Sequence, residues 1–328
     1  MKYLITGGAG FIGSNMIHML LSKEDTELVV NLDKLTYAGN LDNLIDIEKD
    51  PRYIFVEGDV CCQNLVHIHL QAHRPDVVIH MAAETHVDNS IASPLPFITT
   101  NFQGTFELLE VIRNNKTYAP SKFIQVSTDE VYGSMAEGEA SELSPLNPSS
   151  PYSATKGSAD MLALSYYKTF GLPVIVTRAS NNYGRFQYPE KLIPLMVANA
   201  MEDKPLPMYG NGMQVRDWLY VDDHCAGILA AAEKGRLGEI YNIGGTKSLP
   251  NIEVMKTILT QLNKPESLIQ SVKDRPGHDV RYAITSEKLQ NETGWKPAVS
   301  FEEGIQKTID WYAQNKQWIA NCKSKKRR

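Results

Sequence analysis

Two short segments carry residue types that can move protons and hydride. Tyr152-Ser153-Ala154-Thr155-Lys156 sets a phenol and an amine four residues apart. On a helix that spacing puts both side chains on one face. An ammonium beside a phenol stabilises the phenolate and lowers its pKa. The phenolate can then take a hydroxyl proton while hydride leaves the same carbon. The second segment, Ser127-Thr128-Asp129-Glu130-Val131-Tyr132-Gly133, follows a β-branched run. Thr128 is placed to hydrogen-bond the reacting hydroxyl. Oxidation and reduction need only a Tyr, a Lys and such a hydroxyl. The adjacent Asp129 and Glu130 add an acid/base pair, which suits a reaction in which a proton also leaves carbon and a hydroxyl leaves as water. Alone, either segment is ordinary: an exposed helical Tyr/Lys pair, or an Asp-Glu loop in solvent. What precedes them in the chain changes that balance.

Thr6-Gly7-Gly8-Ala9-Gly10-Phe11-Ile12-Gly13 follows the first strand-like run and opens the first helical one. Gly7, Gly10 and Gly13 form G-x-x-G-x-x-G, which lets the backbone turn tightly and approach a pyrophosphate at a helix N-terminus. Asp33 ends the second strand, 20 residues after Gly13. A carboxylate there accepts from both ribose hydroxyls of NAD and repels the 2′-phosphate of NADP. Asp59-Val60 and Ala82-Ala83 end or follow the third and fourth strands and would line the same cleft.

These residues need a sheet to hold them. Lys2–Thr6, Glu27–Leu32, Tyr53–Glu57, Asp76–His80, Lys122–Ser127 and Pro173–Arg178 read as strands buried on both faces. Helical patterns lie between them at Phe11–Ser22, Leu65–Ala72, Phe97–Arg113 and Tyr152–Phe170. The alternation predicts an α/β, Rossmann-type doubly wound parallel sheet. After Arg178 the rhythm breaks, and loops are expected from Ser180 to Asp217. Helices follow at Asp222–Lys234, Asn251–Leu262, Ser286–Glu292 and Phe301–Asn315, with a strand at Glu239–Ile243. The expected division is a dinucleotide-binding domain at 1–179 with a return segment near 217–246. A smaller C-terminal substrate-binding lobe, 180–216 and 247–328, completes it.

Composition excludes other classes. The 328 residues suffice for a large core. A net charge of -5 argues against a nucleic-acid surface. No apolar run reaches membrane-spanning length, and Met1-Lys2 leads directly into a strand, so a cytoplasmic protein is expected. Cys61, Cys62, Cys225 and Cys322 show no disulfide framework, and Cys61-Cys62 read as packing or surface thiols. His67, His69 and His73 do not share one helical face, and no metal is expected. The basic end, Lys323 with 325–328, reads as a frayed tail.

The segments TGGAGFIGS, LDKLTYAGN, GDV, HMAAETHVDNSI, STDEVYG, YSATK, SNNYG, PEKLIP, RDWLYVDDH and RPGHDVRYAI span nearly the whole chain. Together they resemble the nucleotide-sugar dehydratase branch of the extended short-chain dehydrogenase/reductase family. The resemblance implies a homodimer with tightly held NAD, acting on a nucleoside-diphosphate hexose, dTDP-glucose foremost. Oxidation at C4 by Tyr152, removal of the C5 proton by Glu130, protonation of the departing 6-hydroxyl by Asp129 and reduction at C6 would give a 4-keto-6-deoxy sugar. It also implies NAD contacts from Phe11, Ile12, Asp33, Lys34, Leu35, Thr36, Asp59, Val60, Ala82, Ala83, Thr100, Tyr152, Lys156 and Asn182. Substrate contacts are implied for Thr85, Thr128, Asn181, Lys191, Leu192, Pro207, Met208, Tyr209, Arg216, Asn251, Arg275, Pro276, Gly277 and His278. Arg216 suits a diphosphate, since a guanidinium matches phosphate geometry.

Two positions depart from the family pattern: Asn89 stands where Arg is usual, and Arg185-Phe186 where Pro-Tyr is usual. Two rival readings are a sugar-nucleotide epimerase or decarboxylase, which need no Asp129-Glu130 pair, and a non-catalytic NAD sensor, which would be free to lose Tyr152 and Lys156.

Overall fold

A computed structural model describes residues 1–274 and 279–325. The buried β-branched runs become β1 (Lys2–Thr6), β2 (Leu28–Asp33), β3 (Tyr53–Glu57), β4 (Val77–His80), β5 (Lys122–Thr128) and β6 (Val174–Ala179). With β10 (Ile240–Ile243) they form a seven-stranded parallel sheet in the order β10-β6-β5-β4-β1-β2-β3. This is the doubly wound order with one added edge strand. Side chains alternate across it, as the two-residue period demands. Tyr3 and Ile5 pack toward α1 (Phe11–Leu21) and α8 (Val221–Lys234). Leu4 between them packs toward α2 (Gln63–His73), α5 (Gly104–Asn114) and α6 (Pro151–Phe170). The register sets Ser127 beside Arg178 and Thr128 beside Ala179, so the ends of β5 and β6 open on one cleft.

The helix expected at Phe97–Arg113 runs from Leu95 to Asn114 but is not α-helical throughout. After α3 (Val87–Ala92) and α4 (Leu95–Phe97), the turn Ile98–Gln103 widens to i→i+5 bonding before α5 begins. Such bulges recur at functional sites. Here the widened turn presents Thr100 to the cleft and lets Asn101 bond Glu84 N, Glu84 O and Thr155 Oγ1 at 2.8, 3.0 and 3.1 Å.

The stretch expected as loops, Ser180–Asp217, contains β7 (Asn181–Tyr183), α7 (Leu192–Met201), β8 (Leu206–Tyr209) and the start of β9 (Val215–Tyr220). The sequence hides α7 because Leu192, Ile193, Leu195, Met196, Val197 and Met201 are apolar on every side, leaving no amphipathic period. β9 pairs with β7 and with β11 (Lys247–Pro250) in a small separate sheet, while α8 and β10 return to the large one. A second core gathers β7, β9, α7, α9 (Asn251–Gln261), α11 (Phe301–Gln314) and α12 (Lys316–Lys325) around Tyr183, Trp218, Ile258 and Tyr312. β12 (Ile269–Val272) pairs with β8, and α10 (Glu287–Thr293) packs under α8. The basic end is no loose tail up to residue 325: α12 buries Trp318, Ile319 and Cys322, and Lys323 pairs with Glu202 at 3.3 Å.

Candidate active site

One cleft at the carboxyl edge of the large sheet collects most of the residues singled out from sequence. Gly7, Gly10, Phe11, Ile12, Gly13, Asp33, Lys34, Thr36, Asp59, Val60, Ala82, Ala83, Thr100 and Asn182 line it, with Thr85, Thr128, Asp129, Glu130, Tyr152, Lys156, Asn181 and Lys191. Leu35, whose backbone is left-handed (φ 54°), is beside it and not in it.

The glycines are there for space. Gly7 has φ 74°, and a Cβ would lie 2.8 Å from the Ala82 backbone. A Cβ on Gly13 would strike the Gly7 carbonyl. Asp33 is tied down by Ala9 N at 2.9 Å and Leu35 N at 2.8 Å. Burial raises its pKa, and those two N–H donors oppose the rise. Lys34 reaches Asp59 at 2.6 Å across the same edge. A dinucleotide fits this cradle. Asn181 Oδ1 and His224 Nε2 are buried without a protein partner among the described residues, though such atoms are normally satisfied, so both can serve a polar ligand.

At the inner end, β5 runs into a single tight turn, Asp129–Tyr132, capped by Thr128 Oγ1 accepting from Glu130 N at 3.2 Å. Asp129 is 2% exposed, and its Oδ2 also lacks a protein partner among the described residues. Burial, then Glu130 and Asp217, hold its carboxyl well above the usual range, which favours its protonated form. α6 starts at a Ser150/Ser153 capping box with Pro151 in its first turn, which fixes Tyr152 and Lys156 on the cleft face.

The ammonium of Lys156 donates to Val126 O at 2.6 Å, and burial lowers its pKa to about 8, against the pull of Asp160. Tyr152 does not show the lowered pKa read from the Tyr/Lys spacing. Burial and the negative charge of Glu130 raise it, with a hydrogen bond to Thr128 opposing. Removing a phenolate from water outweighs a nearby cation that is itself bonded elsewhere. Behind the pair, Asp160 and Arg178 form a buried ion pair at 2.9 Å, and Arg178 also donates to Tyr132 at 3.0 Å.

Leu192, Pro207, Met208, Tyr209, Arg216 and Asn251 are not in this cleft. Most of them gather beside it on the small sheets: Arg216 pairs in register with Leu249, and Asn251 N donates to Gln214 O at 3.0 Å. Arg216 donates to Val215 O and Asp279 O at 2.8 and 3.0 Å and stacks on Tyr282 at 4.5 Å. Arg275, Pro276, Gly277 and His278 lie outside the described residues. Sequence reasoning missed Tyr37, Glu84, Gln187, Tyr188, Glu190 and His224, all on the cleft wall. Their signal was position: Tyr37, Glu84, Glu190 and His224 lie inside the family-like segments, and Gln187 and Tyr188 fall between two of them.

The two departures are placed as well. Asn89 is exposed at the start of α3. Arg185 bonds Asn15 Oδ1 at 2.7 Å, and Phe186 (φ 66°) stacks on His18 at 5.5 Å and meets Trp311 edge-on at 5.0 Å. Both residues thus staple the second core to α1. Elsewhere, His69 and His73 stack at 5.6 Å, and among the described residues no group of His, Cys, Asp and Glu is arranged to hold a metal. Cys61 Sγ donates to Thr99 O at 3.5 Å.

A doubly wound sheet with a glycine-cradled cleft, a helical Tyr/Lys pair and two carboxyl groups at one strand end defines a dinucleotide-binding protein equipped for proton and hydride chemistry. The chain belongs to the GDP-mannose 4,6-dehydratase family, whose pattern it matches over residues 4–308. It is 48% identical to the dTDP-glucose 4,6-dehydratase of Neisseria meningitidis serogroup B, over 98% of this chain and 95% of that one. The structure of the Bacillus anthracis dTDP-glucose 4,6-dehydratase in complex with NAD is similar (TM-score 0.92, 49% identity, 98% and 99% of the two chains). So is the Streptomyces venezuelae dTDP-glucose 4,6-dehydratase with NAD and dTDP bound (TM-score 0.95, 44% identity, 98% and 100%).

Proposed function

We propose that the chain is an NAD-dependent hydro-lyase that converts dTDP-glucose to dTDP-4-keto-6-deoxyglucose and water. The observation that carries this reading is Asp129: a buried carboxyl beside Glu130, whose raised pKa suits it to hold and give a proton, at the strand end that faces Tyr152 and Lys156. An epimerase or decarboxylase has no use for that proton. Bound NAD⁺ supplies a hydride acceptor for C4 of the sugar and later the donor for C6. Tyr152, deprotonated once the positive charge of the bound cofactor joins that of Lys156, takes the proton from the 4-hydroxyl, with Thr128 orienting that oxygen. Lys156 supplies the positive charge that favours the phenolate as the proton moves. Once C4 is a ketone, the C5 proton is acidic, and Glu130 removes it. Asp129 gives its proton to the 6-oxygen, which leaves as water, and Glu130 returns a proton to C5 as C6 is reduced.

In this account residues 1–179 and the return near 217–246 hold the cofactor, and 180–216 with 247–328 hold the sugar nucleotide. Arg216 serves the diphosphate by letting go of the Asp279 carbonyl. The chain works as a homodimer: Leu95, Ile98, Phe102, Phe106, Met161 and Phe170 leave apolar side chains exposed on α4–α6 and the turn between them. No described helix is long and apolar enough to cross a membrane. Four free cysteines suit the cytoplasm. Incubating the protein with dTDP-, UDP-, GDP- and CDP-glucose and reading 4-keto sugar absorbance in alkali tests the reading. Product from dTDP-glucose is expected; no 4-keto product from any of them contradicts it.

A further inference from the structure

The last helix reaches the cofactor cleft from outside. α12 buries Trp318, Ile319 and Cys322 at 8%, 6% and 0% exposure, so it is docked along its length. Its polar contacts lead mainly to two loops. Toward the first, Trp318 Nε1 donates to Asn43 Oδ1 at 2.8 Å, and Asn321 Nδ2 to Asp42 Oδ2 at 3.3 Å. Asn43 Nδ2 in turn donates to the carbonyl of Ala9 at 3.1 Å, inside the glycine cradle, where Asn40 N joins it at 2.9 Å. The N–H of that same Ala9 holds Asp33. Toward the second loop, the Cys322 carbonyl accepts from Tyr188 OH at 3.0 Å. Tyr188 lines the cleft and packs edge-on against Tyr37 of the first loop at 5.6 Å. Tyr37 OH bonds Glu190 at 2.9 Å, closing the circuit across the mouth.

We propose that α12 is a latch for the dinucleotide. By holding Asn43 and Tyr188 from behind, it keeps the 36–44 and 187–191 loops closed over the cleft, and the cofactor leaves only when α12 undocks. Trp318, Asn43 and Tyr188 are positioning residues in this scheme: they act on the cofactor through the loops they hold. A redox-neutral cycle has no need to release its dinucleotide, and a helix bonded to both walls slows that release without touching the chemistry. The proposal rests on the NAD reading above and is independent of the sugar.

The test is exchange of bound radiolabelled NAD⁺ against excess unlabelled NAD⁺ in the purified holoenzyme. Trp318→Phe keeps the ring packing and removes the bond to Asn43. It should speed exchange by about fivefold, the worth of one buried hydrogen bond. Asn321→Ala, a half-buried change at the surface that folding will survive, should move exchange the same way by less. Turnover of dTDP-glucose at saturating added NAD⁺ should stay near wild type in both, which separates failure of the latch from failure of the enzymatic reading. Lys323→Ala breaks only the surface pair with Glu202 and should leave exchange unchanged. Wild-type exchange rates in both Trp318→Phe and Asn321→Ala, or equal acceleration by Lys323→Ala, would overturn the latch.

Discussion

The Lys156 ammonium is held at 2.6 Å by the carbonyl of Val126, two residues before Thr128 on β5. The lysine is thereby fixed to the strand that ends in Thr128 and Asp129, and its charge stands at the cleft floor. With its pKa lowered to about 8 by burial, the ammonium is present below that pH and lost above it. Hydride removal from C4 should therefore decline through an alkaline limb near pH 8. Lys156→Ala should slow that step about 10²–10⁴-fold and abolish the limb. The check is the rate of reduced-nicotinamide absorbance with dTDP-glucose across pH. Near-native rates with an unmoved limb would remove Lys156 from the scheme.

Asp33 faces the cleft with its carboxylate anchored by two backbone N–H groups. A 2′-phosphate would meet that negative charge at close range. Denaturing freshly purified protein should release NAD and almost no NADP. Recovery of mainly NADP would reverse the reading of Asp33.

The Asp160–Arg178 pair is buried, 0% and 2% exposed, behind the Tyr/Lys face of α6. Removing one partner strands the other charge in a low-dielectric interior. Arg178→Met should lower unfolding free energy by about 3–5 kcal/mol. Urea unfolding measures this; a change under about 1 kcal/mol would mean that Asp160 is neutral in the fold.

Asp129 should matter in proportion to how badly the group at C6 leaves. Asp129→Asn should slow elimination from dTDP-glucose, and a 6-fluoro analogue, which needs less acid assistance, should restore part of the rate. Equal slowing with both substrates would assign Asp129 another task.

The large sheet was legible because its strands are buried on both faces and read as unbroken apolar runs, and because glycine spacing and Asp33 mark the cradle chemically. Two kinds of feature were not legible. A helix buried all round, α7, has no polar face to betray its period, and α12 shows only Trp318, Ile319 and Cys322 among polar neighbours. The balance of forces at Tyr152 was equally hidden: spacing shows which residues share a face, but the competition between burial, Glu130 and Thr128 depends on atoms that only the fold brings together. The positions of Arg216 and Asn251 beside the cleft, not in it, follow from β9 leaving the main sheet, which no local pattern announces.

The assignment of Glu130 as the base for C5 separates dehydration from every rival on this fold. The decisive measurement is a single turnover of Glu130→Gln with dTDP-glucose in deuterated water, following nicotinamide absorbance and deuterium at C5 together. Oxidation at C4 needs Tyr152 and Lys156 but no carboxylate, so the reduced cofactor should form and persist, with no deuterium at C5 and no 4-keto-6-deoxy product. Full turnover to the 4-keto-6-deoxy product with normal deuterium incorporation would contradict the account and pass the C5 base to another group.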